Sequence, residues 1–259
     1  MERYWLVAAS FCFLLSFGHT LFALGRGTFR PGRYNLFVIA AGFAFQTAFL
    51  YQRGQIVHTC PITNFFEVLV FLGWSIVLLY LLVGPAYRLS LMGAFTAPLV
   101  LALQLLALLA PIDNAAPPAA HNSWIEFHAA LSIIAYGAFG LASIAGVMYL
   151  VQERLLKAHK VSELLLNLPP ITDLGAVNRR LIVTGLVLLT VAFAAGAAAG
   201  MSITGAKTGV SVVVWILYGA LLAMERLHLV PSGRIASASI AIFLLALITL
   251  PVVSHLSPR

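Results

Sequence analysis

Eight apolar stretches, at about 4–24, 35–52, 65–84, 91–110, 125–151, 180–200, 209–225 and 235–255, divide the chain, each closed by charged, Gly or Pro positions. Each run is long enough to cross a hydrocarbon core about 30 Å thick as a helix. Nothing alternates with the period of two that a barrel strand requires, so the pattern predicts eight helices, the only open-chain form that satisfies its own backbone in lipid. The first run, from Tyr4 to Leu24, exceeds a signal-peptide core and precedes no small-residue cleavage site, so it is expected to remain as a span. Pro98 falls inside the fourth run and is expected to kink it, and Gly84-Pro85-Ala86-Tyr87-Arg88 is expected to form a tight turn. The longest connection, 152–178, holds an amphipathic stretch at 155–168 and then Pro169-Pro170, and is expected to lie on the membrane surface. No internal repeat of the transporter kind is visible.

Composition turns this pattern into a fold class. Hydrophobic residues make up 61% of the chain and charged residues only 9%, whereas a soluble domain carries about 25% charged residues to face water. The expected fold is therefore all-α: a polytopic membrane protein, a bundle of about eight transmembrane helices in one integral domain over 1–259. The net charge of +7 does not point to nucleic acid, because the basic residues lie in short connections between apolar runs. Arg3, Arg53, Lys207 and Arg259 fall on the side of the termini. Arg26, Arg30, Arg33, Arg88, Arg154, Lys157, Lys160, Arg179, Arg180, Arg226 and Arg234 fall on the other. This asymmetry places the second side in the cytoplasm and both termini outward.

That direction decides where chemistry can sit. His58, His121, His128 and His255 lie at or near the outward face, while His19, His159 and His228 lie toward the other. Neutral imidazole is a ligand for haem iron, and two helix ends can supply an axial pair. A histidine at an interface is equally accounted for by an apolar ring with a polar tip. Glu67 and Glu126 stand near the starts of the third and fifth spans, shallow enough for snorkelling or for a helix-N-terminal role, and Glu67 could instead orient a histidine or meet Arg53. No carboxylate occupies a span centre, which argues against a proton- or cation-coupled pump. Cys12 and Cys60 are too few and too distant for a CxxC or zinc motif; Cys12 reads as packing and Cys60 as a lone loop thiol open to reaction. Gly185 and the small residues from Ala192 to Gly200 predict close helix packing or a smooth wall beside a flat ligand. No phosphate loop, Ser-His-Asp set or HExxH is present, so nothing points to a hydrolase or kinase.

Five segments in order resemble the cytochrome c assembly family of membrane proteins, the CcsA, CcmC and HemX-like group. They are Cys60-Pro61-Ile62-Thr63-Asn64-Phe65-Phe66-Glu67 with Phe71-Leu72-Gly73-Trp74, Trp124-Ile125-Glu126-Phe127-His128 with Ser132 to Tyr136, and Leu174-Gly175 through Asn178-Arg179. Trp215-Ile216-Leu217-Tyr218 and Ser254-His255-Leu256-Ser257 complete the set, so the resemblance covers about 35–257. It implies a multi-pass protein of the bacterial inner membrane that binds or handles haem in cytochrome c assembly. His128 and His255 would ligate the haem iron, with Trp124 and Glu67 shaping the site. It further implies partners among other cytochrome c maturation proteins or apocytochrome c, and a handling subunit without a bond-forming catalytic site of its own. Two departures stand out. The loop Met201 to Gly209 has no Trp or Asp where haem-handling members carry a Trp-rich loop, and Ala223 stands where synthase-type members place a histidine. These departures resemble the HemX-like branch. They keep a second reading open, a regulator or scaffold that binds no haem and acts on tetrapyrrole synthesis through the loop 152–178.

Overall fold

The computed structural model describes residues 3–26, 33–83, 91–109, 122–159, 168–201 and 206–256, with side chains for all of these but 33, 206, 207 and 250–256. They form eight helices: α1 (Arg3–Gly25), α2 (Arg33–Val57), α3 (Phe65–Val83), α4 (Met92–Leu109), α5 (Ser123–Lys157), α6 (Ile171–Ala198), α7 (Ala206–Arg226) and α8 (Ser232–Leu256). All eight are long and apolar enough to cross a membrane, and the described residues include no strand. The protein is a polytopic membrane bundle. The expected tight turn at 84–88, His121 and most of the 155–168 segment lie outside the described residues.

Three helix ends differ from the hydropathy pattern. α2 continues past position 52 to Val57, because Arg53 is paired inside the bundle and does not terminate the helix. α5 continues to Lys157, where Lys157 Nζ donates to Glu153 Oε1 at 2.8 Å one turn back. α6 begins at Ile171, directly after Pro170, with Asp173 in its first turn. Charged residues ended the apolar runs without ending the helices. At 35 residues, α5 is about 50 Å long and outruns the hydrocarbon core. The stretch 155–157, expected on the membrane surface, is thus the end of α5. Pro98 lies within the continuous span of α4.

α5 is the central element and packs most extensively on α6, with α3, α4 and α8 around it; α1 lies on α2 and α4. In lipid, hydrophobicity gives no net drive for helix association, so close approach at small residues must supply it. Gly185 of α6 lies against the Phe139 ring, and a Cβ at Gly140 would come within 2.9 Å of Phe243 and 3.0 Å of Ile76. A Cβ at Gly146 would meet the Ala236 carbonyl at 3.0 Å. The Gly185 contact bears out the close-packing reading of the small-residue stripe of α6.

Buried polar groups cross-link the helices. Asn178 Nδ2 donates to the Ala142 carbonyl at 2.7 Å and to Ser239 Oγ at 3.0 Å. Tyr218 Oη donates to the Ser239 carbonyl at 3.0 Å while its ring stacks on Phe139, the centroids 4.0 Å apart. In the other half, Asn35 Nδ2 donates to Thr20 Oγ1 at 2.7 Å and Ser10 Oγ to Gln104 Oε1 at 3.1 Å. The outer surface exposes Leu105, Leu106, Val187 and Ile216, as a lipid-facing wall requires.

Candidate functional site

His128 stands on the second turn of α5, half-buried. Asn122 caps this helix, its side-chain oxygen accepting from the Trp124 N–H at 3.0 Å. The His128 Nδ1 lies 2.6 Å from the carbonyl oxygen of Ala192 on α6. A carbonyl can only accept, so the proton sits on Nδ1 and the Nε2 lone pair is left outward from this contact. Nε2 has no hydrogen-bond partner among the described residues. The ring fits against Gly196, where a Cβ would lie 2.9 Å from Nδ1. The small-residue stripe of α6 thus packs the helices closely and, at Gly196, seats the His128 ring.

Register along α5 and α8 bears on His255. The two helices run antiparallel, with Gly146 against Ala236 and Ser239 and Gly140 against Phe243. His128 lies about three turns from Gly140 toward the start of α5, and His255 the same distance from Phe243 toward the end of α8. The backbone at 255 thus reaches the level of His128; the His255 side chain lies outside the described residues.

Glu67 occupies a second focus at the same end of the bundle. It is fully buried, not snorkelling, and is ion-paired with Arg53 Nε at 2.7 Å. Its other oxygen accepts from the backbone N–H and the hydroxyl of Thr63, both at 2.8 Å. Its own N–H donates to Asn64 Oδ1 at 2.8 Å, so Asn64 and Glu67 together cap α3. Of the two roles, orienting a histidine or meeting Arg53, Glu67 takes the second, and among the described residues it bonds to no histidine. The loop so held is tied to α5 by the Cys60 N–H, which donates to Glu126 Oε2 at 3.4 Å. Trp124, one turn outward of His128 on the same helix face, has 55% of its surface exposed.

Cys60 is not the reactive thiol its loop position suggested. Burial first, then the carboxylates of Glu126 and Glu67, push its thiol up to about 11. Its alkylation by iodoacetamide near pH 8 is expected on the order of 100-fold slower than that of an unhindered thiol, because the thiolate is the nucleophile. Glu126→Gln should accelerate it. A wild-type rate equal to that of a free thiol would remove this account of the loop.

Three other histidines have a backbone role that sequence reading missed. His58, His159 and His228 adopt φ of +55°, +50° and +53°, each just beyond a helix C-terminus. Glycine usually fills this left-handed position, and histidine is among the few other residues enriched there. The Leu229 N–H, for example, returns to the Met224 carbonyl at 3.0 Å. His228 therefore closes α7, five residues beyond Ala223. His19 is exposed and lies beside Tyr34, the ring centroids 4.7 Å apart.

A family model described as Cytochrome C assembly protein matches residues 62–257, which include both the His128 seat and the C-terminal end of α8. Among similar proteins, Protein HemX of Brevibacillus brevis is 29% identical over 168 residues, covering 64% of this chain and 61% of that protein. Cytochrome c biogenesis protein CcsA of Synechococcus sp. (strain CC9902) is 32% identical over 130 residues, covering 48% of this chain and 42% of the relative. The CcsA of Chlorella vulgaris is 29% identical over 99 residues, covering 36% and 31%. The matches thus span about three fifths of the first relative and less than half of the other two.

Proposed function

The chain belongs to the cytochrome c assembly protein family, and on that premise we propose that it binds or passes haem at the end of the bundle carrying its termini. The carrying observation is the His128 Nδ1–H bond to the Ala192 carbonyl at 2.6 Å. A histidine that ligates a metal commonly donates its other ring N–H to a carbonyl, which fixes the tautomer and makes the ligating nitrogen more basic. This donor set fits haem: His128 offers Nε2 from a held ring, and His255, at the same level on α8, is the second ligand in the proposal. Bound haem would supply an iron centre that can take imidazole nitrogen as a ligand. The protein's part is to hold the His128 ring through its Nδ1 bond to Ala192, with Nε2 turned away from that bond, and to present an apolar wall at Gly196. Trp124 flanks the site from the outward turn. Glu67 acts at one remove, by fixing the loop that meets the start of α5.

In this reading the protein is a haem-handling subunit of the bacterial inner membrane with both termini outward. Attachment chemistry falls to partners in the maturation system, which act on apocytochrome c. Titration of the purified protein with haem, followed in the Soret region, tests it: a saturable band is expected, and its absence sinks the proposal.

A second reading has a specific observation behind it. The loop Met201 to Gly209 carries no aromatic residue to cover a porphyrin face, and Protein HemX is among the relatives. In this alternative the chain is a regulator or scaffold that binds no haem and acts through 152–178. The two separate in cells: loss of cytochrome c on changing His128 and His255 supports haem handling. Indifference to those changes with sensitivity in 152–178 supports the scaffold.

A further inference from the structure

The α1–α4 half of the bundle carries a layer of polar side chains near the middle of α2. Gln46 of α2, Gln104 of α4 and Ser10 of α1 are all buried there, Gln46 completely. Among the described residues, Gln46 alone has every polar side-chain atom buried without a hydrogen-bond partner, and Gln104 Nε2 is left in the same state. The three side chains stand at one level. α1 and α2 run antiparallel, with Gly42 against Phe13 and Trp5 Nε1 donating to Gln52 Oε1 at 2.9 Å, which brings Ser10 level with Gln46. A Cβ at Gly73 of α3 would lie 3.3 Å from Gln46 Nε2 and 3.5 Å from Val100 Cγ1, and Val100 is one turn from Gln104. The Ser10 hydroxyl has one proton to share between the Leu6 carbonyl at 2.8 Å and Gln104 Oε1 at 3.1 Å. Turned either way, the Gln104 amide therefore keeps one polar atom unpaired. In the other half of the bundle the Asn178 amide nitrogen has two protein acceptors.

We propose that this layer is an internal water site, in which water donates to Gln46 Oε1, accepts from the Gln46 N–H groups and bonds the unpaired end of the Gln104 amide. Buried polar groups are bonded to protein or to held water, and a held water needs at least two polar partners. The layer offers atoms of both kinds, amide nitrogens and a carbonyl oxygen, and no charged side chain stands in it. A cation would satisfy only the carbonyl and an anion only the N–H groups, with no opposite charge at hand to offset either. Water is neutral and both donates and accepts. It would tie α2 to α1 and α4 at this level, where no direct side-chain bond joins Gln46 to either neighbour. The site is separate from His128 and does not rest on haem binding.

Hydroxyl-radical footprinting of the full chain in detergent, read by mass spectrometry, tests this, because X-ray radiolysis of a held water makes the radical in place. Phe13 and Phe139 are both 0% exposed, so bulk solvent reaches neither. Phe13, one turn from Ser10, borders the layer, while Phe139 lies in the other half, stacked on Tyr218. Phe13 of the wild type is expected to label about tenfold faster than Phe139. Gln46→Leu, which removes two of the three unpaired atoms at similar volume, should bring Phe13 down to the rate of Phe139. Equally slow labelling of Phe13 and Phe139 in the wild type overturns the proposal and leaves the two amides to bond each other directly. Phe13 labelling that persists at the wild-type rate in Gln46→Leu, with Phe139 still protected, overturns it as well. A Gln46→Leu chain that has lost its fold is recognised by fast labelling of Phe139; Gln46→Met then takes its place, and the wild-type comparison decides without either variant.

Discussion

Purified protein carrying His128→Ala is expected to show no Soret band on haem loading, and Gly196→Ala to show one whose haem is held about 10–100-fold more weakly than in the wild type. The first follows from removing a ligand. The second follows from the seat: a Cβ at position 196 would lie 2.9 Å from His128 Nδ1 and 3.3 Å from Cε1. Contacts that short force the ring away from α6, and its Nδ1–H then loses the Ala192 carbonyl. Tautomer and aim are no longer fixed, although the ligand itself remains. Loss of fold does not explain such a result, because alanine is a better helix former than glycine by about 1 kcal/mol and the half-buried ring has room to turn outward. The pair of variants is more informative than either alone. If His128→Ala loses haem while Gly196→Ala binds as the wild type does, His128 is a ligand but its seat is immaterial. If both bind normally, the haem reading itself is wrong.

The spans were legible because a lipid-facing helix writes its whole length in apolar residues. The ends of α5 and α6 were not. A hydropathy pattern stops at Glu153 and Arg154 or at Arg179 and Arg180, while the helix goes on into the headgroup region without penalty. His128 was found through the resemblance, and its partner was not: Ala192 offers only a backbone carbonyl, and Gly196 only an absent side chain. Their importance follows from the α5–α6 register, in which Gly185 faces Phe139 and Gly196 faces His128. For Glu67 the helix-N-terminal role and the pairing with Arg53 hold, and only snorkelling fails, for a related reason. Its depth along α3 is shallow, but depth along the membrane normal says nothing about burial against neighbouring helices. Thr63 and Asn64, just ahead of Glu67, were the available signal, since a capping pattern at a helix start predicts a carboxylate turned back toward the chain.

Glu67→Ala is expected to destabilise the protein by about 3–5 kcal/mol, the range for removing one partner of a buried ion pair. The Arg53 side chain has 7% of its surface exposed and that of Glu67 none, so the guanidinium left behind lies largely shielded from solvent. Thr63 loses the acceptor of its N–H and of its hydroxyl at the same time. Arg53→Met/Glu67→Leu should recover most of the loss, because a buried pair repays little beyond the cost of its own desolvation. Chemical denaturation of the detergent-solubilised protein, followed by tryptophan fluorescence, measures both. The single variant should also weaken haem binding, since the loop fixed by Glu67 is the one whose Cys60 N–H meets Glu126 half a turn from His128. The double variant separates stability from this positioning: it restores the packing of α2 on α3 but leaves Thr63 without an acceptor and the loop unanchored. Recovered stability with haem affinity still depressed would show that the ion pair serves the site through the loop. Full recovery of both would reduce Arg53 and Glu67 to a packing contact that any two apolar side chains can replace.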